Sequence, residues 1–157
     1  MQKVTILCTG RMKERFYIDA AAEYAKRLSR FCDLQIVELP EDRLPDQPSP
    51  AQIAASLDRE ATVMLGRIPA SARVCALCVE GTLCSSEDLA QWMGRNQDHA
   101  LAFLIGGSFG LAPQVKERGD WKLSLSPMTF PHHLARVMLL EQIYRAYQIR
   151  SGGAYHK

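Results

Sequence analysis

Two side chains that can accept or donate protons occupy the last three positions of the chain. Tyr155 and His156 follow the glycine pair Gly152 and Gly153 and precede only Lys157. Chain termini are usually frayed and without function unless contacts hold them in place. A phenol and an imidazole after a flexible pair of glycines therefore predict a tail that reaches a site and takes part in its chemistry.

A glycine-rich segment follows the apolar run at 100–105 and reads Gly-Gly-Ser-Phe-Gly over 106–110. Glycines after a buried strand let a ligand approach the backbone closely, which favours a cofactor loop, although an ordinary turn into a helix stays open. The segment lacks the Lys-Ser/Thr of a phosphate-binding P-loop, and it does not open a first βαβ unit as a dinucleotide fingerprint does. A loop without lysine suits a cofactor with no phosphate tail, such as S-adenosylmethionine.

Two further segments end predicted strands, and ligands of open parallel sheets bind at the carboxyl ends of strands. One is Leu77 to Gly81, and the other is Leu-Ser-Pro-Met-Thr-Phe-Pro over 125–131. Two prolines fix the course of the second segment, and main-chain groups between them can hydrogen-bond an adenine edge. Met128 and Phe130 either line an apolar cofactor slot or belong to the core.

The histidines and cysteines do not have the spacing of a metal site. His132 and His133 are adjacent and point apart on a helix, with no carboxylate four residues on. Cys75 and Cys78 form a C-x-x-C pair inside an apolar strand without a second such pair, so we expect them to pack in the core. We expect no metal.

The five cysteines form an odd set, and the chain shows no signal peptide and no apolar run long enough to span a membrane. These features predict a soluble, cytoplasmic protein. The formal net charge is +2, but from residue 101 onward there are seven Lys and Arg against three Asp and Glu, a net charge of +4. This distribution favours a polyanion-binding surface and a solvated basic face about equally.

Short apolar runs alternate with helical patterns throughout the chain. Strands are predicted at 4–8, 34–39, 72–79 (closed by Gly81), 100–105 and 121–125. Helices are predicted over 17–31, from the capping residues Ser49 and Ser85, at Pro113, and over 133–150. The alternation predicts one α/β domain over 1–157, with a parallel sheet and helices on both faces.

The last predicted helix is apolar almost all round, so it must be covered on more than one face. In a chain of this length the simplest cover is a second copy, which predicts a symmetric homodimer. Glu141 and Arg145 have the i,i+4 spacing of an ion pair. Arg145, which is close to the tail, is also a candidate for contact with RNA.

Four motifs together resemble one protein family. They are Leu-Ile-Gly-Gly-x-x-Gly from Leu104, Leu-Ser-x-Ser-x-Met-Thr-Phe-Pro-His from Leu123, Arg-Val-x-Leu-x-Glu-Gln-x-Tyr-Arg-Ala from Arg136, and the terminal Ala-Tyr-His-Lys. Over essentially its whole length the chain is similar to the ribosomal large-subunit RNA pseudouridine N3-methyltransferases, which are minimal SPOUT methyltransferases.

The resemblance implies a parallel α/β fold with a C-terminal trefoil knot, an exception to the general absence of knots, and a homodimer that binds S-adenosylmethionine. It implies methylation of a pseudouridine at N3 in a 23S rRNA hairpin loop within the assembled ribosome. The cofactor contacts carried over are Leu77, Gly106, Leu125, Ser126, Pro127, Met128, Thr129 and Phe130. Pro127 departs from relatives that often have a backbone N–H there, so a bond from that donor is absent.

The resemblance also gives the tail a role. Arg145, Tyr155 and His156 of one subunit would reach a cofactor held by the other and act on the base. His156 would either accept the N3 proton, directly or through water, or only help to hold the RNA. Tyr155 would stack on or hydrogen-bond the base, and Arg145 would stabilise charge on its carbonyls. Two other classes of protein fit the sequence less well. A nucleotide-dependent oxidoreductase or phosphate-handling enzyme needs a P-loop lysine or an acidic ribose ligand near the glycines, and this chain has neither. A non-catalytic RNA-binding module does not explain the glycine loop or the segment with two prolines.

Overall fold

The computed structural model of the chain describes residues Met1–Lys157 and contains one five-stranded sheet. The strands are β1 (Gln2–Thr9), β2 (Cys32–Leu39), β3 (Arg73–Leu83), β4 (Leu101–Ile105) and β5 (Trp121–Ser124). Their order in the sheet is β2-β1-β4-β3-β5, and every neighbouring pair is parallel. The predicted parallel α/β architecture is confirmed.

Five helices connect and follow the strands: α1 (Arg15–Leu28), α2 (Pro50–Leu65), α3 (Ser86–Arg95), α4 (Pro113–Arg118) and α5 (His132–Arg150). The predicted caps are present. Ser49 accepts a hydrogen bond from the N–H of Gln52, whose side chain accepts one from the N–H of Ser49. Ser85 and Asp88 form the same reciprocal box at the start of α3, so local sequence sets both helix starts.

The helices cover both faces of the sheet, as expected. On one face α1, α3 and α5 bury alternate strand residues such as Val4, Ile6 and Phe103. On the other face α2 and α4 cover Leu7 and Leu104. Because β4 is buried along its whole length, its sequence is apolar without alternation.

Strand β3 differs from the prediction, because it continues past Gly81 to Leu83. Leu77 and Thr82 both pair with Leu123, so the intervening residues form an irregularity in the ladder with β5. A Cβ on Gly81 would lie 2.7 Å from the carbonyl oxygen of Lys122. Only glycine permits this approach, so Gly81 allows the strand to resume rather than ending it.

Helix α5 packs against the sheet and between α1 and α3, and its central side chains Leu139, Leu140 and Ile143 are fully buried. Its flank at Val137 and Met138 is only half-buried and faces a second cavity. Part of the apolar surface of α5 is therefore covered within the chain, and part is left open. None of the helices combines the length and the apolar character needed to cross a membrane.

Candidate functional site

The segments that follow β3, β4 and β5 enclose a cavity of about 660 Å³. Parallel strands direct their carboxyl ends to one edge of the sheet, so these segments meet there despite their separation in the chain. The volume is in the range of small-molecule sites. Seven of the eight sequence-predicted cofactor residues line it, namely Leu77, Gly106, Leu125, Ser126, Met128, Thr129 and Phe130. Pro127 does not line it.

The glycine loop forms one wall of the cavity with its backbone. A Cβ on Gly106 would lie 2.3 Å from both the carbonyl carbon and the oxygen of Gly110. Because these are backbone atoms, no side-chain movement could remove the clash. Gly110 itself adopts a positive φ of 77°, and its N–H donates to the carbonyl of Gly107. The loop therefore turns tightly on itself, and its glycines serve both the turn and the open wall of the cavity.

The segment after β5 presents main-chain groups to the same cavity. The Ser124 hydroxyl donates to the carbonyl of Ser126, and the Ser126 hydroxyl accepts from the N–H of Met128. The Ser126 carbonyl and the Met128 N–H bind these hydroxyls. The remaining main-chain groups of residues 125–130 make no hydrogen bond to other main-chain groups. These groups are free for a ligand, as the two prolines that fix the segment suggested. Met128 is 71% exposed, so it lines the cavity and is not core.

An ion pair stands at the rim of the cavity. Lys116 of α4 donates to the carboxylate of Glu80, which lies in the irregular part of β3. The hydrogen bond from Lys116 lowers the pKa of Glu80. Cys78 contributes to the wall beside them, whereas Cys75 is fully buried. The prediction of core packing therefore holds for Cys75, but Cys78 is half-buried at the cavity.

The two histidines at the start of α5 lie where the cavity meets the end of β1. Their ring centroids are 4.1 Å apart, and His132 lines the cavity. Burial lowers the pKa of each ring. The Nε2 atom of His132 and the Nδ1 atom of His133 are buried without a hydrogen-bond partner. The structure contains no cluster of three or more side chains able to hold a metal ion.

One ion pair, whose arginine is buried and whose glutamate is partly exposed, fixes α5 next to the cavity and does not follow from the sequence. Arg136, which is 3% exposed, donates to Glu38 at 2.7 Å and to the carbonyl of Gly10 at 3.1 Å. Burial acts to raise the pKa of Glu38, but the hydrogen bonds from Arg136 and the Met12 N–H outweigh it and lower that pKa. An arginine on an apolar helix was the only signal, because its partner is far away in the chain.

The tail folds back on α5. Tyr155 lies under the Arg145 guanidinium, 4.7 Å from the ring centroid, and edge-on to Tyr144 at 4.8 Å. Its hydroxyl donates to Glu141 at 3.1 Å, and Arg145 donates two hydrogen bonds to the same carboxylate oxygen. The predicted Glu141–Arg145 pair is confirmed. Burial, and next the negative charge of Glu141, raise the pKa of Tyr155.

His156 is held between two charged groups. Its Nδ1 lies 3.1 Å from Nη1 of Arg145, and its Nε2 lies 2.6 Å from the Glu87 carboxylate at the start of α3. A guanidinium only donates, so Nδ1 must accept, and Nε2 carries the proton that it donates to Glu87. The hydrogen bond from His156 lowers the pKa of Glu87. In this arrangement neither ring nitrogen of His156 has a free lone pair.

The structure does not bring the tail into the cavity of its own chain. Ala135 is the last residue of α5 that lines the cavity, and Arg145 lies ten residues further along, about 15 Å by helix geometry. A second cavity of about 550 Å³, lined by Val137, Met138 and Glu141, lies between them. Arg145, Tyr155 and His156 therefore form one group, and the predicted cofactor residues form another.

Comparisons with known proteins agree over nearly the whole chain. A family described as "Predicted SPOUT methyltransferase" matches residues 2–156. The Ribosomal RNA large subunit methyltransferase H of Clostridium novyi (strain NT) is 45% identical over 98% of this chain and 99% of its own length. The protein of the same name from Clostridium botulinum (strain Alaska E43 / Type E3) is 43% identical over the same shares.

A solved structure shares the fold. The crystal structure of a probable methyltransferase from Bordetella pertussis Tohama I aligns with a TM-score of 0.56, covering 93% of this chain and 95% of that chain. Its sequence identity is 18%, so this likeness concerns the architecture alone.

Proposed function

The chain belongs to the SPOUT methyltransferases, among relatives named Ribosomal RNA large subunit methyltransferase H, and we propose that it uses S-adenosylmethionine to methylate N3 of a pseudouridine in 23S rRNA. The target nucleotide lies in a hairpin loop of the assembled ribosome, in the cytoplasm. One observation carries the proposal: seven of the residues expected to bind the cofactor come from three separate segments and line a single cavity at the carboxyl edge of the sheet.

The cavity suits this cofactor by shape and by chemistry. Its walls combine apolar side chains, among them Leu77, Ile105 and Leu125, with backbone that is not occupied by other hydrogen bonds. An adenine ring needs apolar faces and main-chain partners at its edge, and both are present. No cluster of lysine or arginine lines the walls, consistent with a ligand that lacks phosphates.

S-adenosylmethionine supplies an activated methyl group on sulfur, and transfer to a ring nitrogen requires that donor and acceptor be held in line. The segment from Leu125 to Phe130 and the backbone at Gly106 hold the donor side. The acceptor side requires groups that bind a base and accept its N3 proton. The chain offers these groups in the tail, where a phenol, an imidazole and a guanidinium are already in contact.

We further propose that the tail of one subunit serves the cavity of a second. The tail lies outside its own cavity, and the flank of α5 at Val137 and Met138 is left partly uncovered. A symmetric dimer through this flank covers the apolar surface and carries Arg145, Tyr155 and His156 towards the other subunit. A trefoil knot formed by the C-terminal segments is part of the same proposal, as a property of the family.

The hydrogen bonds of His156 define what must change before it accepts a proton. Arg145 occupies Nδ1, and Glu87 binds the proton on Nε2. His156 becomes a base only when Arg145 moves away from Nδ1, for example to a carbonyl oxygen of the target base. That exchange would link base binding to the release of a lone pair for the N3 proton.

Two measurements test the proposal. Calorimetry with S-adenosylmethionine should show binding without RNA, and ribosomes lacking the modification should gain one methyl group at a pseudouridine, detected by mass spectrometry of the rRNA. Deletion of residues 155–157 should abolish methylation and leave cofactor affinity nearly unchanged. Full activity of the shortened chain would refute the role of the tail, and absence of cofactor binding would instead favour a non-catalytic RNA-binding module.

A further inference from the structure

We propose that the surface at the start of α1, formed by Arg11, Lys13, Phe16, Tyr17 and His133, binds the single-stranded rRNA that flanks the target nucleotide. We call it the α1 surface. This inference rests on the proposed function, since it names the part of the molecule that holds the RNA next to the methyl-transfer cavity. Neither the cavity nor the tail includes any of these five residues.

A continuous row of rings joins the α1 surface to the cavity. His132 lines the cavity, and its centroid is 4.1 Å from that of His133. The His133 ring is 6.3 Å from Tyr17, and Tyr17 is 4.3 Å from Phe16. Aromatic and imidazole rings are the groups on which unpaired RNA bases stack. The row therefore leads from the reaction site to the outer surface through groups suited to successive bases.

Phe16 is the exposed end of this row. It is 66% exposed, although one side of its ring contacts Tyr17. A ring in that position has a costly contact with water unless a partner covers it. A nucleobase fits better than an apolar protein partner, because the residues on the N-terminal side of Phe16 are mostly charged.

The charges on the α1 surface favour an anion. Arg11 and Lys13 are exposed and make no salt bridge, whereas Arg15 pairs with Asp19 at 3.1 Å. Two acidic residues lie beside them: Glu14 is the N-cap of α1, and Glu38 is already paired with Arg136 and the Met12 N–H. The first turn of α1 contains no acidic residue, although acids there would stabilise the helix. Arg11 and Lys13 precede the helix and have no salt-bridge partner, so their charges are available to phosphate groups.

The position in the fold agrees with this role. Residues 10–14 join β1 to α1 and so lie at the carboxyl edge of the sheet, the edge that holds the cavity. Arg30 and Arg67 are equally exposed, but they precede β2 and β3 and lie at the opposite edge. They supply matched controls for charge, because they make no salt bridge either.

The test compares four variants of the full chain with unmethylated ribosomes and with a fluorescein-labelled 23S rRNA hairpin that carries the target loop. Phe16→Ala should weaken hairpin binding about tenfold and raise KM for ribosomes by a similar factor, with Phe16→Tyr restoring both. Arg11→Gln/Lys13→Gln should lower the slope of log affinity against log salt by about 1 to 2. Arg30→Gln/Arg67→Gln should change neither quantity.

Several results would overturn the proposal. The RNA does not bind this surface if Phe16→Ala leaves hairpin affinity and KM unchanged. The same follows if Arg11→Gln/Lys13→Gln and Arg30→Gln/Arg67→Gln have equal slopes of log affinity against log salt. A change of oligomeric state in Phe16→Ala by light scattering would assign the ring to a subunit contact instead. Failure of the proposed function looks different: the wild-type chain itself would then methylate no ribosomes, whatever the variants do.

Discussion

At the residue scale, the close approach of Gly106 to Gly110 makes the cavity wall sensitive to a single methyl group. Gly106→Ala would force the loop apart, because the new Cβ meets backbone at 2.3 Å and not a movable side chain. We expect a loss of about 1 to 3 kcal/mol in the free energy of unfolding and at least about tenfold weaker S-adenosylmethionine binding. Urea denaturation and calorimetry measure the two effects.

Gly66→Ala is the matched control for that substitution. A Cβ at Gly66 would meet its nearest atom at 3.4 Å, and the backbone there is in the ordinary helical region. Stability and cofactor affinity should stay close to those of the wild type. If Gly106→Ala behaved like Gly66→Ala, the loop would be far more yielding than its geometry implies.

The ion pair of the buried Arg136 with the partly exposed Glu38 gives a pH-dependent prediction. Arg136 and the Met12 N–H lower the folded-state pKa of Glu38 despite its partial burial, so the stabilisation is present above the unfolded pKa and is lost as pH falls through the folded pKa. The wild-type free energy of unfolding should therefore decrease between about pH 5 and pH 3. Glu38→Gln should cost about 1 kcal/mol near neutrality, because solvent screens a carboxylate that is 35% exposed, and it should show a smaller decrease on acidification.

Denaturation at several pH values tests this, with Glu23→Gln as the control. Glu23 pairs with Arg27 on the exposed side of α1, where such pairs contribute little. Parallel pH profiles of the free energy of unfolding for the wild type and Glu38→Gln would show that ionised Glu38 does not stabilise the fold through Arg136.

The amino-acid sequence predicted the positions of some site residues and not of others. The residues from Leu125 to Phe130 form a contiguous motif, and with Leu77 and Gly106 seven of the eight expected cofactor residues line one cavity, while their binding of the cofactor stays a prediction. Glu38 and Glu87 were missed. Each contacts a residue far along the chain, Arg136 and His156 respectively, and no local spacing encodes such a contact.

At the scale of elements, two capping boxes of the same kind allow a clean comparison. Ser49→Ala and Ser85→Ala should each cost about 1 kcal/mol in stability, since each removes a side-chain acceptor for an N3 amide. Only Ser85→Ala should also lower methylation, because Glu87, two residues later, holds His156. Equal activity of the two variants, measured at equal folded fraction, would show that the contact between His156 and Glu87 of α3 does not affect methylation.

Elements were predictable where local physics decides them. Both caps, the proline at the start of α4 and the apolar run of β4 follow from residues within one turn or one strand. The end of β3 was predicted incorrectly at Gly81, because the glycine serves a close approach to Lys122 and not a stop. The row of rings from His132 to Phe16 also escaped prediction, since it depends on the packing of α1 beside α5.

At the scale of the whole molecule, a mixing experiment tests whether the tail acts on a second subunit. At an S-adenosylmethionine concentration well below the Kd of the variant, Gly106→Ala should be nearly inactive through its cavity, and a chain lacking residues 155–157 should be inactive through its tail. Co-refolding equal amounts forms mixed dimers in which one cavity and one tail are intact and face each other. Activity should recover to about a quarter of the wild type if subunits pair at random.

Recovery to that level requires both a dimer and action between subunits. No recovery, with dimers seen by light scattering, would mean that each tail serves its own chain. A monomer at micromolar concentration would contradict the proposed dimer. The half-buried apolar side chains of Val137 and Met138 would then not be explained by a subunit contact.

The strand order also determines when the protein can fold during its own synthesis. β1 is an interior strand of the sheet, and Val4 pairs with Leu34 on one side and with Leu101 on the other. At about 5 to 20 residues per second, the second edge of β1 waits roughly 5 to 20 seconds for β4 to be made. An unpaired apolar edge is prone to aggregation for all of that time. The nascent chain therefore cannot close its sheet, and stays open to pairing with other chains, until Leu101–Ile105 have been synthesised.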